Sequence, residues 1–192
     1  MKYDVILAGV GGQGVLSVAT IIAHAAISDG FEVRQSEVHG MAQRGGQVIS
    51  HMRISDKKIA SDLVPKGGAD MIIAMEVLEG LRYIPYLKPD GILVTSSESF
   101  INMPNYPDAG VLHSAVKKIP KWRLVKTADL AKEAGLAKAA NTVMIGAASN
   151  FLPVKGQTLE KIIADTFAKK DAQTVAANTK AFKLGQAAAK TG

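Results

Sequence analysis

Two short stretches hold the residues whose types and spacing could do chemistry. Gly9-Val10-Gly11-Gly12-Gln13-Gly14 has the spacing Gly-x-Gly-x-x-Gly. Glu37-Val38-His39-Gly40-Met41-Ala42-Gln43-Arg44-Gly45-Gly46 sets an acid, an imidazole and a guanidinium among glycines. In the first stretch Gly9 would permit a tight turn. Gly11 would let ligand atoms approach the main chain, and Gly14 would let a helix sit close to a strand. N–H groups at the start of that helix would favour an anion. The same glycines also suit packing of strand on helix with no ligand, and by spacing alone both readings stand. In the second stretch Arg44 offers a planar fork to a carboxylate or phosphate, and His39 could titrate near neutral pH. By spacing alone the favoured reading is a purely structural loop, with Glu37 paired to Arg44 and His39 capping a backbone group.

Other chemistry is hard to place. A dinucleotide site needs an acid for the ribose about 20 residues past the glycines; Gln35 and Ser36 stand there, and Glu37 comes late. There are no cysteines, which excludes disulfides, a cysteine-ligated iron–sulfur cluster and a thiol nucleophile. No His or carboxylate pair has metal-ligand spacing, and no Ser lies in a nucleophile-elbow context. His24 and His113 read as incidental. His51 and Arg53 share one face of an alternating run and are expected to be exposed or covered by a partner. Glu76 and Glu79 read as the surface of a short helix.

The elements that must position these residues follow from periodicity. Tyr3–Ala8 reads as a central strand, apolar on both faces as parallel strands covered by helices are. Gln13–Ser28 reads as a helix ended by Asp29-Gly30, and Phe31–Gln35 as a second strand, parallel to the first through a right-handed crossover. Residues 36–46 read as a loop beyond that strand's carboxyl end. Gln47–Ile54 alternates, with Val48, Ser50, Met52 and Ile54 on one face. Further strands are expected at Ile59–Val64, Asp70–Ala74, Gly91–Thr95 and Trp122–Lys126, with a turn at Lys88–Gly91. Residues 96–110 read as an extended surface loop. Helices are expected at Glu76–Arg82, Val111–Lys118, Ala128–Ala134, from Asn141 as cap to Phe151, from Thr158 as cap onward, and over Gln173–Lys190. The fold class is α/β: a Rossmann-like, mostly parallel sheet with flanking helices and a helical C-terminal segment. One domain over residues 1–192 is the simplest organisation.

The 192 residues are 47% hydrophobic with a mean hydropathy of +0.12, so the chain has material for a packed core. The apolar stretch Val15–Ile27 is broken by Ser17, Thr20 and His24, and no window approaches the roughly 18 continuous apolar residues of a membrane span. The N-terminus reads as a strand rather than a signal peptide. A cytoplasmic location is expected, with no membrane partner. The net charge of +6 comes from scattered lysines. They are not interleaved with aromatics, so no nucleic-acid partner is expected.

The two glycine stretches, with Ser50-His51-Met52-Arg53 and Ala140-Asn141-Thr142-Val143-Met144-Ile145-Gly146-Ala147, resemble the gamma subunit or domain of 2-oxoacid:ferredoxin oxidoreductases over nearly the whole chain. The Gln43-Arg44-Gly45-Gly46 segment is the most specific part. Among the family's branches, the chain is most similar to the small subunit of the indolepyruvate enzymes. The resemblance implies oxidative decarboxylation of a 2-oxoacid with coenzyme A, giving an acyl-CoA, carbon dioxide and reduced ferredoxin. It implies thiamine diphosphate and iron–sulfur clusters in the complex. This chain has no cluster cysteine, and Asp90-Gly91 reaches Asn102 too soon for a thiamine signature. The resemblance therefore implies no catalytic residue, metal or cofactor held by this chain alone. The implied partners are a large thiamine- and iron–sulfur-binding subunit and, through the complex, ferredoxin; a homodimer of the isolated chain stays open. Gly9, Gly11, Gly12, Gln13, Gly14, His39, Gln43, Arg44, Gly45 and Gly46 would then face the partner's active site, with Arg44 meeting a carboxylate or a coenzyme A phosphate and His39 and Gln43 orienting it. The contrasting reading is a free-standing nucleotide- or flavin-binding protein.

Overall fold

The computed structural model describes residues 1–37 and 45–190. Its frame is one six-stranded sheet of order β2-β3-β1-β4-β5-β6, built from β1 (Lys2–Val10), β2 (Glu32–Glu37), β3 (Gln47–Ser55), β4 (Ala69–Ala74), β5 (Leu87–Ser96) and β6 (Trp122–Val125). Strands β1, β4, β5 and β6 are mutually parallel, while β3 is antiparallel to both β1 and β2. The first two strands do run in the same direction, as a crossover requires. They do not pair, however: β3 enters between them and matches β1 residue for residue from Lys2↔Ser55 to Val10↔Gln47. Nine alternating residues that can cover the full length of β1 displace the six-residue β2 to the sheet edge.

Alternation along β1 feeds two cores. Val5 and Leu7 pack with α1 (Val15–Ser28), α5 (Ala140–Ser149), α6 (Gly156–Phe167) and α7 (Ala172–Ala188). Ile6 and Ala8 pack with α2 (Val77–Arg82) and α3 (Ala109–Val116) on the other face. Every side chain from Val5 to Ala8 is buried, the mark of a central strand. In α1 the buried residues Val15, Val18, Ala19, Ile22, Ala25 and Ala26 form one stripe at helical spacing. The remaining helix, α4 (Thr127–Glu133), follows β6.

Five local expectations give way. Ile59–Val64 forms no strand; this segment instead covers the outer face of β3. There Arg53 donates to the carbonyls of Ser61 and Leu63 at 3.0 and 3.1 Å, and His51 Nδ1 accepts the Val64 N–H at 3.2 Å. Arg53 also pairs with Asp4, its direct partner in the β1–β3 register, with Nε 3.0 Å from Oδ1. His51 and Arg53 are thus covered by their own chain, with the buried charge of Asp4 matched. Lys88–Gly91 is not a free turn but part of β5, where the pairing with β4 slips between Ala69↔Leu87 and Met71↔Ile92. Asn141 lies inside α5 rather than capping it. Thr158 lies inside α6, and its hydroxyl donates to Asp29 Oδ1 at 2.7 Å, which ties this helix to the end of α1.

Candidate functional site

The first glycine segment closes on itself where β1 ends. Val10 N–H donates to Gln13 Oε1 at 2.8 Å, and Gln13 N–H donates back to Val10 O at 3.0 Å. Gly12 and Gly14 take φ of 98° and 77°, a left-handed backbone that disfavours a side chain. The division of labour among the glycines differs from the sequence reading. Gly9 provides the close helix–strand contact, since a Cβ there would press on Val15 and Met75. Gly14 turns the chain into α1, with the Asn141 amide packed against it. Gly11 uses its main chain on the protein itself: its N–H donates to Gly46 O at 2.7 Å, and its carbonyl accepts from Gly45 N–H at 3.3 Å.

The structure therefore brings Gly9, Gly11, Gly12, Gln13 and Gly14 together with Gly45 and Gly46. Asn102 Nδ2 donates to Gly45 O at 2.9 Å and adds the loop after β5 to the group. His39, Gln43 and Arg44 lie outside the described residues.

The assembly borders a cleft of about 410 Å³ whose lining includes Gly12, Gln13, Met75, Glu98, Lys138 and Asn141. It sits beyond the carboxyl ends of β1 and β4, whose following helices pass to opposite faces of the sheet. Open α/β sheets bind ligands at this kind of crossing-over point. One helix start in the cleft is already occupied. Glu98 accepts the Ala128 N–H at 2.8 Å and the Thr127 hydroxyl at 3.0 Å, with Ser96 Oγ also bonded to it. A carboxylate of the chain thus sits where the first turn of α4 would attract an anion.

A larger cleft of about 600 Å³ lies at the opposite sheet edge, between Tyr3, Asp70, Trp122, Arg123 and Phe151. Asp70 and Arg123 there are committed to the fold. Asp70 accepts from Lys88 at 2.5 Å and from the Asp4 N–H at 2.8 Å. Arg123 donates to Ala189 O at 2.7 Å and lies 5.5 Å from the centre of the Phe151 ring. Among the described residues no group of three His, Asp or Glu side chains is placed to hold a metal ion.

Sequence reasoning missed two acids beside the glycine segments. Glu76 and Glu79 are 1% and 3% exposed, not on a helix surface. Glu76 caps α2, with Oε2 accepting the Glu79 N–H at 2.8 Å. Its other oxygen accepts from the Tyr106 hydroxyl and, at 3.4 Å, from the Phe100 N–H. Burial and the Glu76 carboxylate raise the Tyr106 pKa to about 12, so the phenol remains a donor. Glu79 Oε1 meets Arg82 Nε at 2.9 Å, while Oε2 has no partner among the described residues. Burial raises the Glu79 pKa, against the pull of Arg82. The available signal was position: Glu76 is separated by one residue from the buried run Met71–Ala74, where a helix start needs an acceptor.

Residues 4–188 match the family model described as pyruvate ferredoxin/flavodoxin oxidoreductase. The indolepyruvate oxidoreductase subunit IorB of Thermococcus kodakarensis is 35% identical, and the match covers 98% of this chain and 96% of that protein. The gamma subunit of a keto/oxoacid ferredoxin oxidoreductase from Geobacter sulfurreducens superposes with a TM-score of 0.70 at 27% identity, covering 99% of each chain. The 2-oxoglutarate:ferredoxin oxidoreductase of Magnetococcus marinus, solved with 2-oxoglutarate, coenzyme A and succinyl-CoA, superposes with a TM-score of 0.77 at 25% identity, covering 98% of this chain and 31% of that one. The strand–glycine turn–helix at the sheet centre, the second glycine segment docked on it and these full-length likenesses agree, and the chain belongs to the pyruvate ferredoxin/flavodoxin oxidoreductase family.

Proposed function

We propose that this chain is the non-catalytic small subunit of a thiamine-diphosphate-dependent 2-oxoacid:ferredoxin oxidoreductase acting on indolepyruvate or a related aryl pyruvate. With a larger subunit it converts the 2-oxoacid and coenzyme A to acyl-CoA and carbon dioxide, and the two electrons released pass to ferredoxin. The whole of residues 1–192 serves as one gamma-type domain, in the cytoplasm. The observation that carries this reading is the reciprocal bonding of Gly11 with Gly45 and Gly46. It holds two glycine segments side by side at the sheet's carboxyl edge, in a chain without a cysteine for a cluster. The relatives named for indolepyruvate support the substrate class.

The chain's own part is positioning. The glycine segments are expected to face the larger subunit's thiamine site, with Arg44 meeting the substrate carboxylate or a coenzyme A phosphate and His39 and Gln43 orienting it. Lys138 at the rim of the cleft adds positive charge for the same anionic co-substrate. Thiamine diphosphate and the clusters supply carbanion stabilisation and electron transfer from the partner. A free-standing dinucleotide site fits less well, because the Gly11 main-chain groups are engaged and Glu98 fills the start of α4.

The test is reconstitution. The chain and the large subunit should assemble and reduce a dye in the presence of 2-oxoacid and coenzyme A, while the isolated chain does neither. Arg44→Ala should assemble normally and lose most of its turnover. Unchanged turnover would remove Arg44 from the site, and micromolar binding of a nicotinamide or flavin by the isolated chain would favour the free-standing reading.

A further inference from the structure

The loop between β5 and α3 presents two large apolar side chains to solvent: Phe100 is 43% exposed and Ile101 is 77% exposed. Polar anchors fix this loop from below. Glu76 holds it through the Tyr106 hydroxyl and the Phe100 N–H, Asn102 fastens it to Gly45 at 2.9 Å, and His113 Nε2 meets Ser97 O at 2.9 Å. The Glu76 anchor is buried, so its bonds are shielded from competition by water. A loop tied this way presents its apolar tip at little entropic cost on binding.

Its chemistry narrows the occupant. No Lys or Arg occurs between Lys88 and Lys117, in a chain that carries 23 of them. An anionic membrane or a nucleic acid would demand the opposite. An uncharged tip with an aromatic residue matches the buried centre of a protein interface. Through Asn102 the tip stands directly against the second glycine segment. In the Magnetococcus marinus enzyme the matching fold is 31% of a longer chain, so it is joined there to a larger stretch of the same polypeptide.

We infer that Phe100 and Ile101 are the anchor with which this chain docks onto an apolar recess of the thiamine-binding large subunit, and that Glu76 positions the anchor by locking the loop. The inference rests on the proposed subunit role. The docked tip sets the glycine segments against the partner's site, which couples assembly to placement of Arg44.

The experiment measures capture of the purified large subunit by the full chain, by interferometry, together with dye reduction by the reconstituted complex. Phe100→Ser/Ile101→Ser should fold like the wild type, because both side chains are exposed, and should weaken capture by about a hundredfold, the loss expected of interface hot spots. At saturating large subunit its turnover should approach the wild-type value. Glu76→Ala, which leaves Phe100 and Ile101 in place, should slow association. Capture by the double variant equal to wild type would overturn the inference while leaving the subunit role intact. So would loss of self-association with capture unchanged, which would make the tip a contact between copies of this chain. Failure of the wild-type chain itself to capture the large subunit would instead remove the subunit role, and the docking site with it.

Discussion

Gly146 and Gly185 face one another across the crossing of α5 and α7, each seated against the other helix's backbone. A Cβ on Gly146 would run into the Phe182 carbonyl, and one on Gly185 into the Val143 carbonyl. Thr142 Oγ1 donating to Asn178 Oδ1 at 2.7 Å and Asn150 Nδ2 donating to Gln186 O at 2.9 Å flank the contact. The helices approach closely because both positions lack a side chain, and this contact holds α7 against the sheet-facing layer.

Two effects oppose each other in Gly146→Ala and Gly185→Ala. Helix propensity favours alanine by up to about 1 kcal/mol. The steric demand is larger, because backbone atoms cannot rotate aside and overpacking typically costs 1–3 kcal/mol or more. Each variant should therefore be destabilised, by about 2 kcal/mol or more, with Tm falling by roughly 4–8 °C at this chain length. Thermal unfolding followed by circular dichroism checks this; a Tm equal to or above wild type would show that the helices separate at no cost.

The parts legible in the sequence were those where one local rule acts alone. The apolar run Tyr3–Ala8, the glycine turn and the apolar stripe of α1 could be read directly, and Asp29-Gly30 stopped that helix as expected. The misreadings share one physical cause: distant segments supplied what local pattern could not show. His51 and Arg53 looked exposed because polar groups on a strand face usually meet water. Here the carbonyls of residues 61 and 63, the Val64 N–H and the Asp4 carboxylate replace that water. Glu76 and Glu79 looked like a solvated helix face, although the loop bearing Tyr106 closes over Glu76. Asn141 looked like a cap because asparagine so often is one, yet its amide packs against Gly14, 127 positions away in the sequence. Residues 38–44, which hold His39, Gln43 and Arg44, rest on sequence alone.

Glu79 makes stability depend on pH in a specific sense. Its folded pKa is raised above the ordinary value of 4.5 because burial disfavours the carboxylate. Between the unfolded and folded pKa values the unfolded chain has released this proton while the folded chain retains it. Stability therefore falls as pH rises through that window. Glu79→Gln removes the titration while keeping an oxygen for Arg82. Its stability relative to wild type should improve from pH 4 to pH 8, as read from urea unfolding midpoints at matched ionic strength. A difference that is flat with pH, or that moves the other way, would mean that the Arg82 contact outweighs desolvation.

The contact between Gly14 and Asn141 can be separated from backbone strain by comparing two glycines. Gly12 and Gly14 share a left-handed backbone, so an alanine at either position should cost about 1–2 kcal/mol from strain alone. Around Gly12 there is open space, whereas a Cβ on Gly14 would meet the Asn141 amide. Gly14→Ala should thus be the more destabilising of the two. Adding Asn141→Ala should recover the excess while leaving the strain, which gives a coupling of roughly 0.5–3 kcal/mol in a double-mutant cycle. The same variants divide the cleft functionally. Gly12 lines the cleft and a methyl group there meets open space, so under the proposed subunit role Gly12→Ala should reduce turnover of the reconstituted complex more than its small stability loss accounts for. Gly14→Ala acts through α5 and should lose stability and turnover together. Equal stability losses at the two positions would show that Asn141 does not brace the turn, and full turnover with Gly12→Ala would show that this part of the glycine segment stands clear of the partner's site.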